Sequence, residues 1–247
     1  MIGNFVSTAD GVVSYEIAGK SGGGDVSGFD RADGFIMGLL RASADAVMVG
    51  AGTLQQTAPE HLFIAESVYP DARELYACYR SQGLRKTAPP LQVVVSGSGR
   101  IDLTRAVFHT PGLQTLIVTT PLGKDLLWAH GAASLASTEV RALPGPSLAP
   151  SAILGLLRTD FGVSLLLHEG GPTLFGSFVA EGCIDELFLT IAPRVAGRID
   201  QSPRPGLIVG VEFLPETAPR LEIVSVKERG DHLYLRYATH SEGSHKV

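Results

Sequence analysis

The run Leu165-Leu166-Leu167-His168-Glu169-Gly170-Gly171-Pro172-Thr173-Leu174 joins an apolar, strand-like stretch to two glycines and then a proline. Proline is favoured at the first position of a helix, so the run predicts strand, glycine turn and helix. Glycines let a ligand approach the backbone closely. A helix start presents unpaired N–H groups to an anion such as a pyrophosphate. Glu169 then falls at the carboxyl end of a strand, where ligands of open α/β sheets bind. The same residues also make a tight strand-to-helix turn with Glu169 as a solvated cap, and spacing alone leaves both readings open.

Two further junctions have the same grammar. Val49-Gly50-Ala51-Gly52-Thr53 runs from a strand into a glycine turn and a hydroxyl, a pattern that suits a phosphate or a ribose but is weak alone. Ser96-Gly97-Ser98-Gly99-Arg100 follows the apolar run Leu91–Val95. A hydroxyl and a guanidinium there can grip a ribose 2′-phosphate, because arginine offers a fork of donors to phosphate oxygens. A polar loop is the alternative. Several such junctions on one sheet favour a dinucleotide over a single phosphate. Arg41, at the end of a helical pattern, is either a ligand group or an offset to the helix dipole. Asp10-Gly11 is either functional or a turn.

Other chemistries are excluded by spacing. Position 55 is Gln, so the third glycine of the dinucleotide fingerprint is missing after Gly50 and Gly52. Gly19-Lys20-Ser21 lacks the earlier glycine of a P-loop, since residue 14 is Ser. HExxH does not occur, and the seven histidines have no metal-ligand spacing, so no metal is expected.

The elements that position these residues alternate. Short apolar runs at Asp45–Val49, Leu91–Ser96, Thr115–Thr119 and Val163–His168, bounded by Gly, Ser or Thr, predict buried strands. Between them lie helical patterns: Asp30 to about Ser43 with Asp30 as N-cap, then Asp71–Gln82, Pro121–His130, Ala149–Phe161 and Pro172–Glu181. Such alternation implies a mostly parallel sheet covered on both faces. The last third differs. Asp185–Val195 reads as a long strand, and Arg220–Glu228 and His232–Thr239 flank Arg229-Gly230-Asp231, a hairpin signal. The expectation is one α/β domain over residues 1–240 with antiparallel C-terminal strands, a flexible Gly19–Gly24 loop and a frayed polar tail over 241–247.

Composition bounds the rest. The 247 residues are 45% hydrophobic and 18% charged, with 29 glycines and 15 prolines, which suits a folded, turn-rich chain. A net charge of −5 with scattered basic residues argues against a nucleic-acid or membrane surface. Cys78 and Cys183 are too few for a disulfide framework and read as free thiols in a reducing compartment. No run approaches the roughly eighteen apolar residues of a membrane span. The expected location is the cytoplasm.

Taken together, these residues resemble the pyrimidine reductase domain of riboflavin biosynthesis, with its dihydrofolate-reductase-like three-layer α/β/α fold, and especially its stand-alone actinobacterial-type members. The landmarks run from about Asn4 to Tyr237: Ser7-Thr8-Ala9-Asp10-Gly11, Leu39-Leu40-Arg41, Asp45 to Thr53, Glu169 to Leu174, Asp185-Glu186-Leu187 and Ile191-Ala192-Pro193. The zinc deaminase signature that accompanies the bifunctional members is absent. The resemblance implies an NADPH-dependent reductase that transfers a hydride to the ring-opened ribosyl carbon of a phosphoribosylamino-pyrimidine or a related pteridine-like substrate. It implies that Gly170, Gly171, Pro172, Thr173 and Leu174, continuing to Ser177, line the pyrophosphate. Gly50, Gly52 and Thr53 would contact the cofactor, Ser96 and Arg100 its adenosine end, and Thr119 and Thr120 its phosphates. Glu169 would hold the pyrimidine ring and act at the catalytic centre, with Arg41, Asp10 and Ser7 on the substrate side. A homodimer through Asp185–Val195 and the terminal hairpin is also implied.

Two positions depart from that pattern. Thr57-Ala58-Pro59 stands where the biosynthetic enzymes usually carry Asp-Asp-Pro, and Val12 replaces a basic residue after Asp-Gly. The segment His61–Thr87 lacks a clear counterpart and is read as a lid or an interface. These departures keep two alternatives: a dihydrofolate-type reductase, and a non-catalytic NADPH-binding protein of the same fold.

Overall fold

The structure, a computed structural model, describes residues 1–202 and 204–239. Along the chain the strands are β1 (Ile2–Thr8), β2 (Ala46–Gly50), β3 (Leu91–Ser96), β4 (Thr115–Thr119), β5 (Thr138–Ala142), β6 (Leu166–His168), β7 (Glu186–Ala192), β8 (Leu221–Arg229) and β9 (His232–Thr239). The α-helices are α1 (Gly23–Ser27), α2 (Arg31–Ser43), α3 (Ala51–Gln56), α4 (Ala65–Val68), α5 (Arg73–Cys78), α6 (Pro121–Ala129), α7 (Pro150–Phe161) and α8 (Pro172–Ala180). Two compact units emerge, one of Met1–Asp33 with the chain from His168 onward, the other Gly34–Leu167.

In the unit Gly34–Leu167, β2, β3, β4 and β5 pair in parallel. Val47, Met48, Val49, Val93, Val94, Leu116, Ile117 and Val118 are at most 1% exposed. Continuous apolar strands of this kind are what a parallel sheet with both faces covered requires. The register sets Gly50 beside Val95 and Ser96 beside Thr119, so the carboxyl ends of β2, β3 and β4 share one edge. At the start of β3, Gln92 is fully buried, but its amide is satisfied by the Phe63 N–H and by the carbonyls of Phe63 and Pro90. Burial of such a group costs little only when it is paired in this way.

In the other unit, β1 pairs parallel with β7, β7 antiparallel with β9, and β9 antiparallel with β8. The mostly parallel arrangement with antiparallel C-terminal strands is therefore present, and the hairpin turns at Gly230 (φ +58°), where glycine is the residue that tolerates a left-handed backbone.

Several expected boundaries change. Gly23 and Gly24 belong to the short helix α1, which ends on a left-handed Gly28, rather than to a flexible loop. The predicted Asp71–Gln82 helix is a 3₁₀ turn over Pro70–Ala72, α5, and a wider turn over Tyr79–Gly83. The Val163–His168 strand shortens to β6, because Ser164 and Leu165 donate their amides to the Asp45 carboxylate. The expected frayed tail over 241–247 lies outside the described residues. No helix among the described residues is long and apolar enough to cross a membrane.

Candidate functional site

In the unit Gly34–Leu167 the carboxyl edge of β2–β4 opens into a cleft of about 570 Å³ lined by Ala51, Gln55, Arg100, Asp102, Arg105 and His130, among others. Gly50, in extended backbone, starts α3. A Cβ on Gly52 would meet nothing within 4 Å, so the backbone at this turn is open to a neighbour. Thr53 is partly buried within α3. Arg100 is exposed on the cleft, and none of the described residues pairs with its guanidinium. A guanidinium free of internal partners beside a cleft of this size fits an anionic ligand group.

The hydroxyls next to Arg100 are committed to the loop itself. Thr119, fully buried, donates from Oγ1 to the Ser96 carbonyl at 2.6 Å. Thr120 donates to the Gly97 carbonyl at 2.8 Å and accepts the Gly123 N–H at 3.1 Å, thereby capping α6. Ser96 is 5% exposed. Thr119 and Thr120 thus fix the loop that carries Arg100, a role their spacing alone does not reveal. Arg105, not singled out from sequence, is 7% exposed and donates to the carbonyls of Thr57 and Gln55 at 2.9 and 3.0 Å. It ties the end of α3 to the cleft wall, and Thr57 also donates its hydroxyl to the Leu54 carbonyl.

Arg41 does not join that edge. It lies on the last turn of α2, which leads into the start of β2, and is 2% exposed. Its Nη1 donates to the carbonyls of Leu62 and Ile64 at 3.2 and 3.0 Å, and its Nη2 lies 3.4 Å from His61 Nε2. Burial, and then the adjacent Arg41 charge, push the His61 imidazole down to about 4. The part of the unexpected segment that follows His61 is therefore held to α2 by this arginine.

In the other unit, β1 and β7 share a carboxyl edge, with Ser7 beside Ile191 and Thr8 beside Ala192. Ser7 is 4% exposed. Asp10 is built into the adjoining loop: it accepts from the Thr8 hydroxyl at 2.6 Å and from the Ala196 and Gly197 amides at 3.0 and 2.7 Å. The Thr8 hydroxyl, followed by those amides, holds its carboxyl well below the usual range.

The Glu169–Leu174 run forms the expected turn. Gly171 is the extended N-cap of α8, Pro172 its first residue, and no side chain caps the helix. Gly170 has φ +114° and is buried, and the Gly170–Gly171 peptide is cis. The first-turn amides of an uncapped helix remain donors for an anion. Glu169 is half-buried and Thr173 exposed. Beneath the turn lies His168, fully buried against Phe5, Phe175 and Phe178.

A second carboxyl escaped sequence reading. Asp33, partly buried on the first turn of α2, is raised above the usual range by desolvation, against the opposing effect of the Thr190 and Ser27 hydroxyls. Nothing about the isolated string Arg31-Ala32-Asp33 marks it, since the desolvation comes from burial that only the folded chain creates.

The family described as the RibD C-terminal domain matches residues 1–235, across both units. The riboflavin biosynthesis protein RibD of Escherichia coli (strain K12) is 26% identical over 202 residues, covering 80% of this chain and 49% of that protein. The 2,5-diamino-6-ribosylamino-4(3H)-pyrimidinone 5′-phosphate reductase of Archaeoglobus fulgidus is 28% identical over 179 residues, covering 72% of this chain and 74% of that one. The chain thus spans about half the length of the RibD protein it matches. Among solved structures, a pyrimidine reductase-like protein of Corynebacterium diphtheriae superimposes with a TM-score of 0.74 at 20% identity, covering 98% of this chain and 92% of that one. That likeness shows the same fold. With the glycine turn, the strand-end cleft and a family match over nearly its whole length, the chain belongs to the RibD C-terminal domain family.

Proposed function

We propose that this chain is a single NADPH-dependent reductase domain acting on a phosphoribosylamino-pyrimidine, of the 5-amino-6-(5-phosphoribosylamino)uracil type, or on a related pteridine-like ring. The observation that carries the reading is the uncapped α8 start behind Gly170-Gly171 in a chain whose family match runs over residues 1–235. The naming of the archaeal relative as a pyrimidinone phosphate reductase supports it.

When bound, the cofactor supplies the hydride, and the protein's task is placement of the acceptor carbon. The amides of Thr173 and Leu174 suit a pyrophosphate, and Arg100 suits the 2′-phosphate that distinguishes NADPH from NADH. Gly50, Gly52 and Thr53 are assigned to the cofactor as open backbone and a hydroxyl. Thr119 and Thr120 serve it by fixing the Ser96–Arg100 loop. Glu169 holds the pyrimidine ring, with Ser7 on the substrate side and Asp10 shaping the loop beside it.

Assaying NADPH oxidation separately with the phosphoribosylamino-pyrimidine and with dihydrofolate tests the reading. Turnover of the pyrimidine is expected. Activity with dihydrofolate alone assigns the second reading, which Thr57-Ala58 in place of the acidic pair favours. Tight NADPH binding with no turnover of either assigns a non-catalytic protein.

The assembly proposed is a homodimer through Asp185–Val195 and the terminal hairpin of β8 and β9. Leu221, Ile223, Val224, Val226 and Leu233 are 44%, 60%, 48%, 53% and 41% exposed. The first four lie on the edge strand β8, and exposed apolar side chains on such an edge invite a partner. Light scattering is expected to give twice the chain mass, and Ile223→Asp to give the monomer. The unpaired thiols of Cys78 and Cys183 fit a reducing compartment such as the cytoplasm.

A further inference from the structure

His168 closes β6 and is the residue immediately before the Glu169–Gly171 turn. It is fully buried. Its Nδ1 accepts the Gly170 N–H at 3.1 Å. An amide can only donate, so Nδ1 must carry the lone pair and Nε2 the proton. That Nε2–H is buried with no hydrogen-bond partner among the described residues. The rings of Phe175 and Phe178 stand edge-on to the imidazole at 5.3 and 5.6 Å, and Phe5 stacks on it at 6.2 Å. Aromatic faces offer such an N–H only weak compensation.

A side chain chosen for packing alone would be apolar here, since a buried orphan donor destabilises the fold. What imidazole supplies, and leucine does not, is the acceptor for Gly170. Backbone amides in a turn with φ +114° have few alternative partners, and this one is buried.

We infer that His168 is a positioning residue: its neutral imidazole holds the Gly170 amide and so sets the Glu169–Gly171 turn and the start of α8. The inference rests on the reading of that turn as the element that meets cofactor and pyrimidine. Burial keeps the imidazole neutral, pushed down to about 3, so the acceptor persists throughout the physiological range.

The first test uses the full chain without ligand. Imidazole nitrogen NMR is expected to report one Nε2–H tautomer, unchanged from pH 8 to about pH 5. A Nδ1–H tautomer, or titration near the ordinary histidine value, overturns the proposal. The second test compares variants. His168→Leu removes the orphan Nε2–H but leaves the buried Gly170 N–H without its acceptor, so the two effects oppose and the melting temperature is expected to change little. Exchange of the Gly170 amide nevertheless accelerates about five- to tenfold, the loss of one net hydrogen bond. His168→Asn, whose Oδ1 sits near the place of Nδ1, restores slow exchange. On the reductase itself, kcat of His168→Leu falls about ten- to a hundredfold at unchanged melting temperature, as displacement of a reacting group does. Unchanged exchange, or exchange that Asn fails to rescue, overturns the inference. Failure of the wild-type chain to bind NADPH instead overturns the functional reading, while the tautomer and exchange results still decide the role of His168.

Discussion

A Cβ built on Gly99 would lie 2.1 Å from the carbonyl oxygen of Gly123, and one on Gly123 would lie 2.0 Å from Thr119 Oγ1. The loop after β3 and the first turn of α6 therefore meet backbone to backbone, with the Thr119 and Thr120 hydroxyls closing the joint. Arg100 follows directly from Gly99. Gly99→Ala is expected to displace the loop, because the new methyl meets backbone and the residue also has φ +69°. NADPH affinity should fall about tenfold or more, since a charge-assisted phosphate contact is lost. Gly97→Ala is the control: a Cβ there meets nothing within 4 Å, and calorimetry should find its affinity near that of the native protein.

Arg100 itself discriminates between cofactors if it reads the 2′-phosphate. Arg100→Ala should weaken NADPH about ten- to a hundredfold and leave NADH nearly unchanged. Equal losses for both nucleotides, in the same titration, remove Arg100 from that phosphate.

For Glu169→Gln, turnover is expected to drop while the NADPH dissociation constant stays close to native. The substitution keeps size and removes charge, so the acceptor rather than the cofactor should feel it. Steady-state kinetics with the pyrimidine substrate, beside calorimetry with NADPH, separate the two effects.

Arg41 is expected to act on stability. Arg41→Ala leaves the partly buried Leu62 and Ile64 carbonyls without their donor, at a cost of about 1–3 kcal/mol in urea denaturation. A substrate-phosphate role predicts the contrary: native stability with a raised KM.

Acid should destabilise the fold through two histidines. Unfolded imidazoles bind protons near their ordinary value of 6.5, whereas folded His61 and His168 resist until about 4 and 3. Unfolding takes up protons in that interval, so their contribution is complete above about pH 6.5 and declines as pH falls. Asp33, raised in the folded chain, works in the opposite direction and offsets part of the slope. Denaturation midpoints of the native chain should fall between pH 6.5 and 4, and His168→Leu should flatten that dependence by about one proton.

The elements with strong local signals were legible in the sequence. Thr115–Thr119 is apolar enough, and Pro121 placed well enough, that β4 and α6 follow from pattern and capping. Ala46–Gly50 and Leu91–Ser96 are equally plain. By contrast β5, over Thr138–Ala142, carries Glu139 and Arg141 and is strand only because β4 pairs with it. The short α1 is likewise hidden in a glycine-rich string, and packs its Val26 against Val6 and Ala192. Tertiary contact overrode weak local preference in both cases.

The amino-acid sequence by itself determined the parallel strands, their glycine-bearing carboxyl ends, the helix start at Pro172 and the resemblance that links them. Those features depend on residue type and short-range spacing. Only the tertiary structure decided which polar groups remain available for a ligand. It turned Thr119, Thr120, Asp10 and Arg41 toward the chain's own amides and carbonyls, and left Arg100 beside an open cleft. It also made an ordinary-looking histidine the acceptor for Gly170 and raised the carboxyl of Asp33. The physical reason is that hydrogen-bond partnership and desolvation are set by residues distant in the chain, and neither is written into a side chain's identity.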